Sequence, residues 1–251
     1  MTNTTIFLST RNRPKLIKKT LDNIQQKCPN FKVLVGNACS EDYIDEVSRI
    51  INSYDNTTEV KYNPDPGLSV VYSDLYNKID TEFAIVWADD MEFLRGCESL
   101  ISHFDNPNIH LLALPMIDDV NNATKSYPDG KSWPKDEHGC AVWDTNSGRC
   151  SHHSITRVSW FKKFGNVCGD GNPNDVIDNF CHRHTSHEQR IWPNDGSYIL
   201  HTRIDDETRL NIVLGWKDTG ENMSFRSTQK FTNQETRERT LIINRINEKR
   251  D

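Results

Sequence analysis

The run Trp87-Ala88-Asp89-Asp90-Met91-Glu92 places two adjacent carboxylates directly after Phe83-Ala84-Ile85-Val86-Trp87, the most continuous apolar segment of the chain. Such a segment reads as a buried, central strand. Ionised groups left unpaired at its end would cost several kcal/mol in apolar surroundings. A divalent cation removes that cost and gives the site a handle for a diphosphate. Successive strand residues point to opposite faces, so both carboxylates serve one site only where the backbone turns. One would then grip the metal and the other hold a sugar or ribose. An arbitrary Asp-Asp pair is a solvated turn; the buried strand before it makes this pair a candidate site.

The elements that must position these carboxylates alternate along the chain. Thr5 to Thr10 reads as a buried strand, stopped by Arg11-Asn12-Arg13-Pro14, where the proline suits the first turn of a helix. Leu16, Ile17, Leu21 and Ile24 fall at helical spacing, and Lys32 to Val35 forms a second strand ending in Gly36-Asn37-Ala38-Cys39-Ser40. Ser40 or Asp42 caps a second helix with Tyr43, Ile44, Val47, Ile50 and Ile51 on its inner face. Glu59 to Tyr62 is a third strand, Asn63 to Gly67 a turn, and Leu68 to Ile79 a helix. This alternation predicts an α/β fold: a Rossmann-like, mostly parallel sheet with helices on both faces. Ligands bind outside the carboxyl ends of such strands, where every one of these polar clusters lies.

Composition narrows the function classes. The chain has 251 residues, 35% of them hydrophobic, and a formal net charge of -6. That balance argues against a protein living on duplex DNA, which needs a basic face to neutralise phosphates. No apolar run reaches the roughly 18 to 20 residues of a transmembrane helix, and Met1 to Thr5 is polar, so the expectation is a cytoplasmic protein without a transmembrane segment. The seven cysteines form no Cys-x-x-Cys pair and read as buried free thiols. The sequons beginning at Asn3, Asn56, Asn122 and Asn222 read as chance occurrences. Phosphate-cradling Gly-x-x-x-x-Gly-Lys-Ser/Thr and dinucleotide Gly-x-Gly-x-x-Gly motifs are absent.

Beyond Ile109 to Pro115, residues 117 to 149 are rich in Asp, Asn, Gly, Lys and Pro, as in a long loop or small hairpin. Ser154 to Thr156 resumes strand character, Trp160 to Phe164 is a short helix ending at Gly165, Val176 to Arg183 a further helix, and Tyr198 to His201 a late strand. No repeat or linker interrupts the chain, so a single domain, 1–251, is expected: a nucleotide half at 1–116, an acceptor and catalytic half at 117–215, and a helical tail at 216–251. His152-His153 and the run His182, His184, His187 fit no structural zinc spacing with Cys168 or Cys181. Trp133, Trp143 and Trp192 read as packing under loops rather than as sugar-stacking platforms.

The first hundred residues resemble a family-2 type glycosyltransferase of the GT-A fold. Four pieces carry the likeness in order and spacing: Phe7 to Pro14, Val35 to Asp42, Asn63 to Ser69, and Phe83 to Asp90. The resemblance implies that Thr10, Arg11 and Asn37 lie near the nucleotide base and ribose of a nucleotide-sugar donor. It also implies that Asp90 binds a metal, Mn²⁺ or Mg²⁺, and that Asp89 touches the donor. More faintly, Cys150 to Gly165 and Asn174 to Arg183 resemble the stretch around the family's acidic pair, with Asn174 in place of its Glu. Asp175 is then the candidate general base of an inverting transfer to an acceptor the sequence does not identify. His201 matches the histidine that completes the metal site in some relatives; an ordinary half-buried histidine is the equal alternative. Ala88, Gly36 and Tyr72-Ser73 depart from common family residues. Those departures leave one rival, a catalytically weak or inactive sugar-nucleotide-binding module; a metal-dependent nucleotidyltransferase built on the same acidic residues comes last, because the Gly-rich opening loop expected of such enzymes is absent.

Overall fold

The computed structural model describes residues 3–118, 153–165, 184–191, 193 and 195–202. In chain order these form β1 (Thr4–Thr10), α1 (Pro14–Lys27), β2 (Lys32–Asn37), α2 (Glu41–Ile51), β3 (Thr57–Lys61), α3 (Leu68–Lys78), β4 (Phe83–Ala88) and β5 (Met91–Phe93). After a 3₁₀ segment at Glu98–Asp105 come β6 (Leu111–Ala113), β7 (Met116–Asp118), β8 (Ser154–Arg157), α4 (Val158–Phe161), β9 (Arg190–Ile191) and β10 (Ile199–His201).

Seven strands make one sheet in the order β3-β2-β1-β4-β8-β6-β9, so β4 is central, as its apolar run predicts. Strands β3, β2, β1 and β4 are parallel; α1 joins β1 to β2, α2 joins β2 to β3, and α3 crosses from β3 to β4 on the far side of β1. Strand β8 runs antiparallel to both β4 and β6, which places residues of the second half in the same sheet. A three-stranded sheet, β5-β10-β7, stands beside it and was not foreseen from sequence.

Strand alternation sorts the core. Ile6, Leu8, Val33, Val35, Ile85 and Trp87 pack with Ile17, Leu21 and Ile24 of α1 and Val47 and Ile51 of α2. Phe7, Leu34, Ala84 and Val86 face the other way, onto Val71, Leu75 and Tyr76 of α3. Burial of this kind stabilises by roughly 25 cal/mol per Å² of apolar surface removed from water. Helix α1 opens on Pro14, and Ser40 holds the N-cap position of α2, followed by Glu41 and Asp42 at its positive end.

Close packing of α3 explains one departure from the family pattern. A Cβ on Gly36 would lie 2.6 Å from Val71 Cγ1, 3.1 Å from Leu75 Cδ1 and 3.2 Å from Tyr62 Cε2. A larger residue there would force the Val71 side chain of α3 to shift, and overpacking of that sort destabilises. Among the described residues no helix is long and apolar enough to cross a membrane.

Candidate functional site

The carboxyl ends of β1, β2, β3 and β4 meet at one edge of the sheet, and the four residues after Ser9 tie them together. Thr10 Oγ1 donates to Asp89 Oδ2 at 2.9 Å, and Arg13 Nη1 donates to Asp89 Oδ1 at 3.1 Å. Arg11 pairs with Asp65 in the loop after β3 at 3.3 Å. Asn12, held at φ 55°, accepts from the Ser40 backbone N–H at 2.8 Å and from its hydroxyl at 3.2 Å. Asparagine tolerates that left-handed backbone better than most residues. One short loop thus reaches each of the three others.

Residues 89 and 90 form the turn between β4 and β5 that two adjacent carboxylates need if both are to serve one site. The turn is pinned at both carbonyls. Thr20 Oγ1 of α1 donates to the Asp89 carbonyl at 2.8 Å. Thr202, just after β10, gives the Asp90 carbonyl its backbone N–H at 2.9 Å and its hydroxyl at 2.8 Å. Asp89 is buried with both carboxylate oxygens engaged, whereas Asp90 is half-buried at the mouth. Tyr72 OH, where many relatives carry Arg, donates to the Trp87 carbonyl at 2.7 Å and closes the end of β4.

Burial pushes the Asp89 carboxyl up to about 6; the nearby Arg13 charge pulls the other way, and Asp90 adds to the rise. In the unfolded chain an aspartate titrates near about 3.9. Between those values the folded state binds the extra proton, so stability falls as pH rises from about 4 to about 6. Asp89→Asn is expected to remove that slope. In urea unfolding with EDTA present, the wild-type chain should lose about 2 to 3 kcal/mol relative to the variant across this window. Parallel pH profiles for the two proteins would refute the assignment.

The donor set suits a small divalent cation. Mg²⁺ is held by one or two carboxylates with phosphates and water completing its shell, and Mn²⁺ takes the same oxygen ligands. Asp90 offers one such carboxylate at the mouth. Among the described residues no group of three His, Cys, Asp or Glu side chains comes together. His201 pairs in register with Met91, the residue after Asp90; only its backbone is described. Asp175 lies outside the described residues. Asn37 is fully buried, its amide donating to Glu59 Oε1 at 2.7 Å and the Ile44 carbonyl at 3.1 Å, while its Oδ1 accepts from the Cys39 N–H.

Residues 5–165 match the sequence pattern described as Glycosyl transferase family 2. The chain belongs to glycosyltransferase family 2. The match covers β1 to the 3₁₀ turn after α4 and so includes the Asp89–Asp90 turn. No curated protein matches by sequence. Among solved structures, S. aureus TarS 1-349 in complex with UDP-GlcNAc is similar at 14% identity with a TM-score of 0.60, over 82% of this chain and 60% of that one. The mannosyltransferase PcManGT from Pyrobaculum calidifontis, in complex with GDP-Man and Mn²⁺, is 12% identical with a TM-score of 0.56, over 95% of this chain and 69% of that one. GalNAc-T7 with UDP, GalNAc and Mn²⁺ is 9% identical with a TM-score of 0.60, over 79% of this chain and 43% of that one. At such identities the likeness is one of fold. The chain spans less than two thirds of the TarS chains it resembles.

Within this family-2 chain, Thr20 and Thr202 escaped sequence reading, and Arg13 and Tyr72 were noted there without their contacts to this turn and strand end. Arg13, Thr20 and Thr202 act on partners 76, 69 and 112 positions away, and Tyr72 on one 15 positions away. The one available signal was parity. Asp89 lies two residues after Trp87, which faces α1, so a polar partner on α1 or at its start was to be sought.

Proposed function

We propose that this chain transfers a sugar from a nucleoside-diphosphate sugar to an acceptor hydroxyl, with Mg²⁺ or Mn²⁺ on Asp90 and inversion at the anomeric carbon. The observation that carries the reading is the pinned Asp89–Asp90 turn at the end of the central strand, facing the loops after β1, β2 and β3. A diphosphate brings its own negative charge to the acidic turn, and a cation bound there would offset it.

Each residue then has a role. Thr10, Arg11 and Asn37 stand at the ends of β1 and β2, where the nucleoside of the donor would lie. The cation on Asp90, with His201 from β10 as a further ligand, would neutralise the departing diphosphate. Asp175 takes the proton of the acceptor hydroxyl as its oxygen attacks the anomeric carbon. The neighbours solved with UDP-GlcNAc and with GDP-Man and Mn²⁺ are in keeping with a nucleotide-sugar donor.

A thermal-shift screen of nucleotide sugars with and without Mn²⁺ tests the reading. A ligand that binds only the folded chain at 100 times its Kd stabilises by about 2.7 kcal/mol. At least one nucleotide sugar is expected to raise the melting temperature only when Mn²⁺ is present. A flat response across UDP, GDP, CDP and dTDP sugars would refute it. The packing of Gly36 and the inward-turned Asn37 amide favour a second reading, a sugar-nucleotide-binding module without turnover. Slow release of free sugar from the bound donor separates the two, since an active transferase leaks sugar to water.

A further inference from the structure

The Asp89 carboxylate lies in a place that a lone charge could not occupy. It is 6% exposed, and its two oxygens have one neutral donor, Thr10 Oγ1, and one charged donor, Arg13 Nη1. The Arg13 side chain is itself only 12% exposed, so the two charges neutralise each other away from solvent. Arg13 holds the N-cap position of α1, and Thr20 of the same helix grips the Asp89 carbonyl. Helix α1 therefore holds this residue at both its side chain and its backbone.

The geometry points to Arg13 as a positioning residue that keeps Asp89 turned inward, so that Asp90 alone presents a carboxylate to the cation at the mouth. This inference rests on the reading of Asp90 as a cation ligand. Removing one member of a buried ion pair leaves an uncompensated charge, whereas replacing both is often tolerated. Without Arg13, the Asp89 carboxylate has to take up a proton or swing out towards water. Swinging out moves the turn, and Asp90 is the next residue in it. The contact through which Arg13 acts on the turn is its ion pair with Asp89.

The test uses the full chain and Mn²⁺ alone, followed by the electron paramagnetic resonance signal of free aqueous Mn²⁺. Loss of a group that orients a metal ligand commonly weakens metal affinity by about 10- to 100-fold. Arg13→Met is expected to weaken Mn²⁺ binding by at least about tenfold, within that range. The double variant Arg13→Met with Asp89→Asn, which removes both charges, is expected to return to within about threefold of wild type, the signature of a coupled pair in a double-mutant cycle. A purely structural role for Arg13 predicts a lower melting temperature with Mn²⁺ affinity unchanged, and that result overturns the inference. So does a double variant that binds as poorly as Arg13→Met, because Asp89 would then be a ligand itself. If Arg13→Met folds too poorly to titrate, Arg13→Gln takes its place on the same criterion: a loss of at least about tenfold supports the inference and unchanged affinity overturns it. A wild-type chain without affinity for Mn²⁺ overturns the reading of Asp90; a wild-type chain that binds, with both variants matching it, overturns the role of Arg13 only.

Discussion

Asp90→Asn is expected to lower transfer by about 100-fold or more, because it removes the carboxylate proposed to hold the cation and with it the several kcal/mol of charge stabilisation a cation gives a departing diphosphate. The fold should survive the change. Asp90 is half-buried, and its carbonyl, which accepts from the Thr202 N–H and hydroxyl, is untouched by the substitution. Asparagine keeps size and one oxygen but carries no charge, so the loss isolates electrostatics from shape. In isothermal titration of donor with Mn²⁺, binding is expected to fall together with turnover. Donor titrated without metal should bind wild type and variant equally weakly. A variant that keeps Mn²⁺-dependent donor affinity would show that Asp90 is not the ligand, and the site would have to be built around other oxygens.

The contrast between Asp89 and Asp90 shows where sequence reading ends. The strand Phe83 to Trp87, its central place and the need for a turn after it are all written in a local apolar run followed by two carboxylates. Which carboxylate turns inward is not local. It depends on Arg13 and Thr20 reaching Asp89 from α1, 76 and 69 positions away, and on Thr202 reaching Asp90 from 112 positions away. The small sheet β5-β10-β7 has the same cause. Each of its strands is three residues long, too short for alternation to register, and its pairing is decided by partners about a hundred positions apart. Asn37 belongs here too. Its position at the end of β2 was legible, but nothing nearby in sequence announced that Glu59 of the next strand would take its amide. Gly36 was legible as a departure from the family pattern; its cause, the side chain of Val71 lying where a Cβ would go, needed α3 in place.

The opposite behaviour is expected of Asp175, the proposed general base. Asp175→Asn should lower transfer by about 1,000-fold, within the 10²- to 10⁴-fold that positioned proton transfer supplies. It should leave Mn²⁺-dependent donor binding unchanged, since a base for the acceptor hydroxyl has no part in holding the diphosphate. The two substitutions thus separate along different axes: Asp90→Asn loses binding and turnover together, Asp175→Asn loses turnover alone. Single-turnover transfer measured with saturating donor, paired with donor titration, reads both axes. The pH profile adds a third observation, because a carboxylate base must be ionised: wild-type turnover should decline on the acid side, and the residual rate of the variant should not follow that limb. Equal loss of donor affinity in both variants would mean that Asp175 also shapes the donor site. The residue that accepts the proton would then have to be sought elsewhere, beginning with the acidic run Asp205-Asp206-Glu207 shortly after His201.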